Sequence, residues 1–173
     1  MLIQLLYFQM ALAFKERPCD IRYKDTRFSG QTLHLYKFRF PDPSLPIFRG
    51  FDDIFNMPHS RHTEVRREDI EKVPGLDIIA ESVESGVSIV MARDGREFFV
   101  TGHLEYAPNT LDKEYKRDMG KRDDVELPEN YYFHDDPDEA PLVTWRAHAN
   151  LFYSNWINYY VYQETPYNID DIQ

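Results

Sequence analysis

Short apolar runs in the middle of the chain predict three strands, the last two joined in a hairpin. Residues 77–80, 87–92 and 97–101 are rich in β-branched and aromatic side chains, a composition typical of buried strands. Asp94-Gly95 lies between the second and third runs. This dipeptide favours a two-residue turn, because both positions of such a turn adopt positive φ.

Two later segments have apolar residues at helical spacing. Leu111, Tyr115 and Met119 share one face of a predicted helix, which Asn109 or Thr110 can cap. A longer stripe is formed by Trp145, Ala149, Phe152, Trp156 and Tyr159. We interpret it as a helix that begins after an N-cap at Thr144 and docks on a sheet, rather than as the aromatic wall of a ligand site.

Composition and charge narrow the class of protein. The 173 residues are 42% hydrophobic, enough for a packed core, and the net charge of −10 argues against a nucleic-acid partner. The single cysteine, Cys19, excludes a disulfide scaffold and fits a reducing compartment. Residues 1–14 carry no charge but are too few to span a bilayer, so no membrane association is predicted.

Charge is distributed unevenly along the chain. Residues 1–42 carry a net charge of +3, whereas residues 43–173 carry −13. A proline-rich stretch at Pro41–Pro46 marks a loop at the same place. These features predict a boundary near residue 42, between an atypical N-terminal segment and residues 43–173.

Two of three candidate chemical sites are weak. His59 and His62 have a spacing that can hold a metal on a helix, but Pro58 indicates the start of a loop and no further ligands cluster nearby, so no metal is predicted. Cys19 lacks the small residues and glycine of a nucleophile elbow, which makes it a poor candidate nucleophile.

The third candidate is the pair His103 and Glu105, between the third predicted strand and the first predicted helix. A carboxylate two residues from an imidazole can fix its tautomer and stabilise the imidazolium that forms when the ring accepts a proton. Such a pair needs a nucleophile elsewhere, usually Ser or Cys.

Several longer segments resemble the homoserine O-acyltransferase family, which comprises homoserine O-succinyltransferases and O-acetyltransferases. The resemblance covers about residues 43–168, and the matching runs are Arg49–Asp53, Pro58–Arg61, Phe99–Tyr106, Glu114–Asp118, Trp145–Asn150, Asn155–Gln163 and Thr165–Tyr167. It implies an α/β fold of the class I glutamine amidotransferase type (flavodoxin-like), a three-layer αβα sandwich with a mostly parallel sheet.

The resemblance also implies a reaction. A Cys–His–Glu triad would take an acetyl or succinyl group from acyl-CoA, as co-substrate and without a cofactor, and pass it to L-homoserine in methionine biosynthesis. His103 matches the catalytic histidine, Glu105 the triad glutamate, and Ser60 and Arg117 substrate-binding positions. A guanidinium such as that of Arg117 can grip homoserine's carboxylate bidentately. A cytoplasmic location and a homodimer are implied as well.

The chain departs from the family in its first 42 residues, where the small-residue elbow of the nucleophilic cysteine finds no match. We therefore expect a C-terminal portion of the enzyme that lacks the N-terminal half of the fold and is inactive by itself. A shifted reading frame or an alternative start would explain residues 1–42. Two alternatives stay open: a non-catalytic domain that binds homoserine or pairs with a complete subunit, and a hydrolase that uses Cys19.

Overall fold

The computed structural model describes residues 8–11, 26–121, 123 and 125–163; Cys19 therefore lies outside the described residues. The strands are β1 (Phe8–Ala11), β2 (Thr26–Phe38), β3 (Phe55–Glu64), β4 (Leu76–Ser82), β5 (Gly86–Ala92) and β6 (Glu97–Val100). The helices are α1 (Arg67–Ile70), α2 (Thr110–Met119) and α3 (Arg146–Asn155), and α3 continues into a π-helical segment, Trp156–Val161.

The described strands form two sheets, and all of their pairings are antiparallel. One sheet has four strands in the order β1-β6-β5-β4, and the other pairs β2 with β3. The connections from β4 to β5 and from β5 to β6 are too short for the crossover that parallel strands need. The chain is thus a mixed helix and strand protein, and the mostly parallel sheet implied by the resemblance is not found among the described strands.

The three predicted strands are confirmed as β4, β5 and β6, but the predicted two-residue turn is wrong. Four residues separate the paired Ala92 and Glu97. Asp94 and Gly95 do adopt positive φ, 55° and 91°. A Cβ at Gly95 would approach the ring of Tyr160 to within 2.3 Å, so the absence of a side chain at Gly95 leaves room for this ring.

The main core joins α3 to both sheets, with Phe38 and Phe55 from the two-stranded sheet and Phe98 from the four-stranded sheet. The ring of Phe98 on β6 contacts Phe152 edge-on at a centroid distance of 6.2 Å and Tyr160 at 4.9 Å. The aromatic stripe of the C-terminal region therefore docks on a sheet, as predicted.

The end of that stripe follows a different period from the one predicted. An α-helical repeat places Trp156 and Tyr159 on the apolar face, yet both are only partly buried, whereas Tyr160 is buried. A π-helical turn contains an additional residue and rotates the apolar face by one position. The predicted cap is wrong too: Trp145 occupies the N-cap position, while the Thr144 hydroxyl accepts a hydrogen bond from Asn56 at 2.8 Å.

The predicted helix over residues 111–119 is confirmed as α2. Its apolar face joins a second cluster, made of Leu35, Leu111, Tyr115, Tyr131, Tyr132 and Trp145. Met119, at the end of the helix, is 53% exposed. Asn109 takes the N-cap position without a side-chain hydrogen bond. The aromatic cluster therefore fixes α2 against the two-stranded sheet.

The segment that begins at Pro58 was predicted to be a loop, but it is part of strand β3. Pro58 pairs with Leu35 of β2. The two-stranded sheet leaves the other edge of β3 without a ladder, so the missing N–H of proline is tolerated there. The β2–β3 pairing also crosses the predicted boundary at residue 42. Within the described part of the chain, no helix has both the length and the apolar character to cross a membrane.

Tyr160 gives a direct test of the π-helical register. Replacement by alanine should lower the free energy of unfolding by about 3–5 kcal/mol, because a buried aromatic ring leaves a cavity against Phe98. Tyr162→Ala is the matched control: Tyr162 is 71% exposed, and its loss should change stability by less than about 0.5 kcal/mol. Urea denaturation followed by circular dichroism measures both, and equal effects would contradict the register.

Candidate functional site

The connection between β6 and α2 brings His103 and Glu105 together. His103 Nδ1 lies 2.8 Å from Glu105 Oε1. An ionised carboxylate only accepts hydrogen bonds, so in the neutral imidazole Nδ1 carries the proton and Nε2 is left as an acceptor. The His103 side chain is 19% exposed and the Glu105 side chain 42%. The pair can therefore accept a proton at Nε2 from a group that reaches it from solvent.

The backbone around His103 is held against β3. The His103 N–H donates to the Pro58 carbonyl at 2.8 Å. The preceding residue, Gly102, lies so close to β3 that a Cβ there would stand 2.5 Å from His59 Nε2 and 2.7 Å from the Met57 side chain. Only a residue without a side chain permits this approach, which joins the loop carrying His103 to the strand carrying Ser60.

Ser60, the second predicted site residue, lies on β3 with its neighbours His59 and Arg61 facing the opposite side. Its side chain is half-buried and hydrogen-bonds to the hydroxyl of Tyr106. Through this contact Ser60 lies at the same group of side chains as His103.

Tyr106 and Glu114 belong to this group although they were not among the predicted site residues. The Tyr106 ring stacks on the His103 imidazole, with centroids 4.2 Å apart and planes 12° from parallel. Its hydroxyl donates to Glu114, 3.0 and 3.1 Å from the two carboxylate oxygens. Burial, and after it the charge of Glu114, raises the pKa of Tyr106 far above its ordinary value, so the hydroxyl stays protonated. Both residues lie in the matching runs, but spacing alone gave no signal for their contact.

Arg117, the fourth predicted site residue, lies one turn after Glu114 on α2. Its Nε and Nη2 donate to the two carboxylate oxygens of Asp118, both at 2.6 Å. This ion pair raises the pKa of Arg117, and the charge of Glu114 acts in the same direction. Asp118 is buried, so it fixes one edge of an exposed guanidinium. The opposite edge retains N–H donors for a second carboxylate.

Helix α3 contributes Tyr153 to the surroundings of Glu105. Burial raises the pKa of Tyr153 to about 12, and the charge of Glu105 adds to this shift. Because the Tyr153 hydroxyl stays protonated, it places no second negative charge beside the Glu105 carboxylate, which orients the imidazole of His103.

His59, one of the two histidines of the weakest sequence candidate, lies in the packed interior. His59 is fully buried and stacks on Phe38 at 5.1 Å. Its Nε2 lies 3.5 Å from the Ser88 hydroxyl, whereas its Nδ1 has no hydrogen-bond partner among the described residues. No cluster of three or more metal-ligating side chains occurs within the described ranges. Burial, followed by the positive charge of Arg61, holds the pKa of His59 well below its ordinary value.

A separate cavity of about 380 Å³ contains none of the predicted site residues. Its walls include Phe40, Phe48, Phe51, Arg49 and Tyr159. Arg49 Nη1 donates to the Tyr159 hydroxyl at 2.7 Å. The cavity therefore belongs to the aromatic packing between the loop after β2 and the π-helical segment.

Comparison with known proteins identifies a family. A sequence model of the family described as homoserine O-succinyltransferase matches residues 22–167, beginning before the boundary predicted at residue 42. Homoserine O-acetyltransferases from Bacteroides thetaiotaomicron and Phocaeicola vulgatus are 65% and 67% identical over 139 residues, which is 80% of this chain and 46% of theirs. One from Brevibacillus brevis is 62% identical over 128 residues, 74% of this chain and 42% of its own. The chain spans about half the length of these relatives.

A solved structure is similar in fold. The crystal structure of SMU.1228c matches with a TM-score of 0.50 over 77% of this chain and 54% of that chain, at 12% sequence identity. This likeness supports a mixed α/β architecture and nothing about function.

The buried histidines predict how stability depends on pH. Burial lowers the pKa of His59 and of His34, so below their ordinary pKa of about 6.5 the unfolded chain binds more protons than the folded chain. The contribution of the two neutral histidines to the free energy of unfolding is complete above pH 6.5 and is lost as the pH falls. Between pH 7.5 and 5.5 the free energy of unfolding should fall by about 1.4 kcal/mol for His59, whose pKa lies well below its ordinary value, and by a smaller amount for His34.

Urea denaturation at the two pH values measures this loss. His59→Leu should remove more than half of it, because the pKa of His59 is lowered further than that of His34. Met57→Leu, a volume-conserving change at the neighbouring inward position of β3, should leave the pH dependence intact even where it lowers stability. An unchanged pH dependence in His59→Leu would show that His59 titrates normally in the folded chain.

Proposed function

Because this chain belongs to the homoserine O-succinyltransferase family, we propose that it carries the acyl-acceptor side of a homoserine O-acyltransferase site. The observation that supports the proposal is the hydrogen bond from His103 to Glu105, 2.8 Å long. This pair lies in the same group of side chains as Ser60, Glu114 and Arg117. In this proposal His103 is the general base and Glu105 orients it.

Opposite charges on α2 match the charges of an amino acid. The outer edge of the Arg117 guanidinium suits the α-carboxylate of L-homoserine, because a planar fork binds a carboxylate with two parallel hydrogen bonds. Glu114, one turn earlier, offers a carboxylate for the α-ammonium group. Ser60 supplies a further hydroxyl to the bound amino acid.

The proposed step is an acyl transfer to the homoserine hydroxyl. His103 Nε2 removes the proton of that hydroxyl while its oxygen attacks the carbonyl carbon of a thioester, and the thiolate leaves. Glu105 stabilises the imidazolium that results. The acyl-enzyme that the family resemblance implies requires a cysteine nucleophile in a small-residue elbow, and the one cysteine here, Cys19, stands among Arg17, Pro18 and Asp20.

We favour acetyl-CoA over succinyl-CoA as the donor, because the relatives with 58–67% identity are named homoserine O-acetyltransferases. We further propose that the complete enzyme has the three-layer glutamine amidotransferase-like fold, acts as a homodimer in the cytoplasm, and needs no cofactor besides the acyl-CoA co-substrate. In that fold residues 43–173 would form the C-terminal portion of the domain.

The experiment separates binding of the acceptor from turnover. We expect isothermal titration calorimetry to detect L-homoserine binding to the purified chain, and Arg117→Ala to weaken it at least tenfold, since a charge-assisted bidentate contact is lost. Lys113→Ala on the exposed face of α2 is the control and should bind normally.

Transfer is tested with acetyl-CoA and L-homoserine, by release of the CoA thiol. We expect no release above that of a His103→Ala variant, because loss of a covalent nucleophile costs orders of magnitude in rate. Release that depends on both His103 and Cys19 would contradict the expected inactivity. Failure to bind homoserine would contradict the acceptor site.

A further inference from the structure

Tyr106 contacts both parts of the proposed site. One face of its ring covers the imidazole of His103, with centroids 4.2 Å apart, while its hydroxyl bonds to Glu114 at 3.0 Å and to Ser60. A single side chain therefore connects the proton-accepting group to the side chains placed at the amino-acid pocket.

The stack is imposed by the fold around Tyr106. The Trp145 indole N–H donates to the Tyr106 carbonyl at 3.1 Å, and Trp145 is 1% exposed in the aromatic cluster. The Tyr106 N–H donates to the His103 carbonyl at 3.3 Å. With its backbone held on one side and its hydroxyl on the other, the long axis of the ring is fixed, and the stack on His103 sets the plane.

A fixed ring restricts the imidazole beside it. The two planes differ by 12°, and rotation of the imidazole about its Cβ–Cγ bond would drive its edge into the tyrosine face. The stack leaves two orientations in this plane, related by a half-turn about that bond, and the one present places Nδ1 2.8 Å from Glu105 Oε1. The hydrogen bond to Glu105 and the stack on Tyr106 thus hold the ring from its edge and from its face.

We propose that Tyr106 is a positioning residue: its ring holds His103 as the tautomer protonated at Nδ1, and its hydroxyl holds Ser60 and Glu114 in place for the amino acid. The tautomer part of this inference stands on geometry alone, whereas the amino-acid part rests on the proposed function.

The tautomer is measured by ¹⁵N NMR of the full chain labelled at histidine, at a pH where the imidazole is neutral, with the His103 signals assigned by their loss in His103→Gln. In the wild type we expect a protonated Nδ1 and an unprotonated Nε2, with nuclear Overhauser contacts from the imidazole to the Tyr106 ring. Tyr106→Phe keeps the ring and should preserve this pattern. Tyr106→Leu should shift both nitrogens toward the averaged values of an unconstrained imidazole.

Tyr131→Phe is the matched control. Tyr131 lies in the same aromatic cluster and its hydroxyl also makes two hydrogen bonds, to the Pro108 carbonyl and from the Asp112 N–H. Removal of the Tyr131 hydroxyl should leave the ¹⁵N shifts of His103 unchanged. Wild-type nitrogen shifts in Tyr106→Leu would overturn the inference. If that variant does not fold, absence of the Overhauser contacts in wild type and in Tyr106→Phe would overturn it instead.

Homoserine titration tests the second part. Tyr106→Phe should weaken L-homoserine binding about tenfold through the loss of hydrogen bonds to Ser60 and Glu114, while Tyr131→Phe should bind as wild type does. Normal binding by Tyr106→Phe would overturn the role of the hydroxyl. If the wild-type chain binds no homoserine, the proposed function fails, yet the ¹⁵N shifts still decide the positioning of His103.

Discussion

The close approach of Gly102 to β3 is the constraint on which the site depends. A Cβ at this position would meet His59 Nε2 at 2.5 Å, and the hydrogen bond from His103 N–H to the Pro58 carbonyl spans the same gap. The contact brings the end of one sheet against the edge strand of the other. This contact places the loop that carries His103, which continues from β6, next to Ser60 on β3.

The second support of the site is the aromatic cluster under α2. Leu111 and Tyr115 bury one face of that helix, and Trp145 adds the hydrogen bond to the Tyr106 carbonyl. Burial of such side chains supplies most of the stability of a short helix. The neighbouring face of α2 then carries Glu114 and Arg117 toward the loop of His103. The site thus lies between a tight backbone contact on one side and a packed helix on the other.

Local signals predicted local structure well and long-range contacts poorly. The strands β4, β5 and β6 and the helix α2 followed from β-branched runs and helical spacing, and the His103–Glu105 contact from residues two positions apart. The role of Tyr106 could not be derived in this way, because its partners Ser60 and Glu114 come from two other elements. The π-helical turn was missed for a related reason: the packing of Tyr160 against Phe98 and Gly95 overrides the 3.6-residue period. The hairpin of β5 and β6 was predicted from Asp94-Gly95, whereas the other antiparallel pairings were not, since the resemblance had implied mostly parallel strands.

The arrangement of the site also bears on how acceptor binding and acyl donation are distributed along the sequence of an acyltransferase. All the acceptor-side residues argued above lie between Ser60 and Asp118, and the contacts that hold them come from residues up to Trp145. A general base and an amino-acid pocket need fixed geometry with respect to each other, since a misplacement of about 1 Å can cost two orders of magnitude in rate. In the proposed reaction, the thioester carbon has to reach only one point of that group, the homoserine hydroxyl beside Nε2 of His103. A fold that builds the acceptor side within one contiguous stretch can therefore receive the acyl group from a separate segment, and acceptor binding can persist where transfer does not occur.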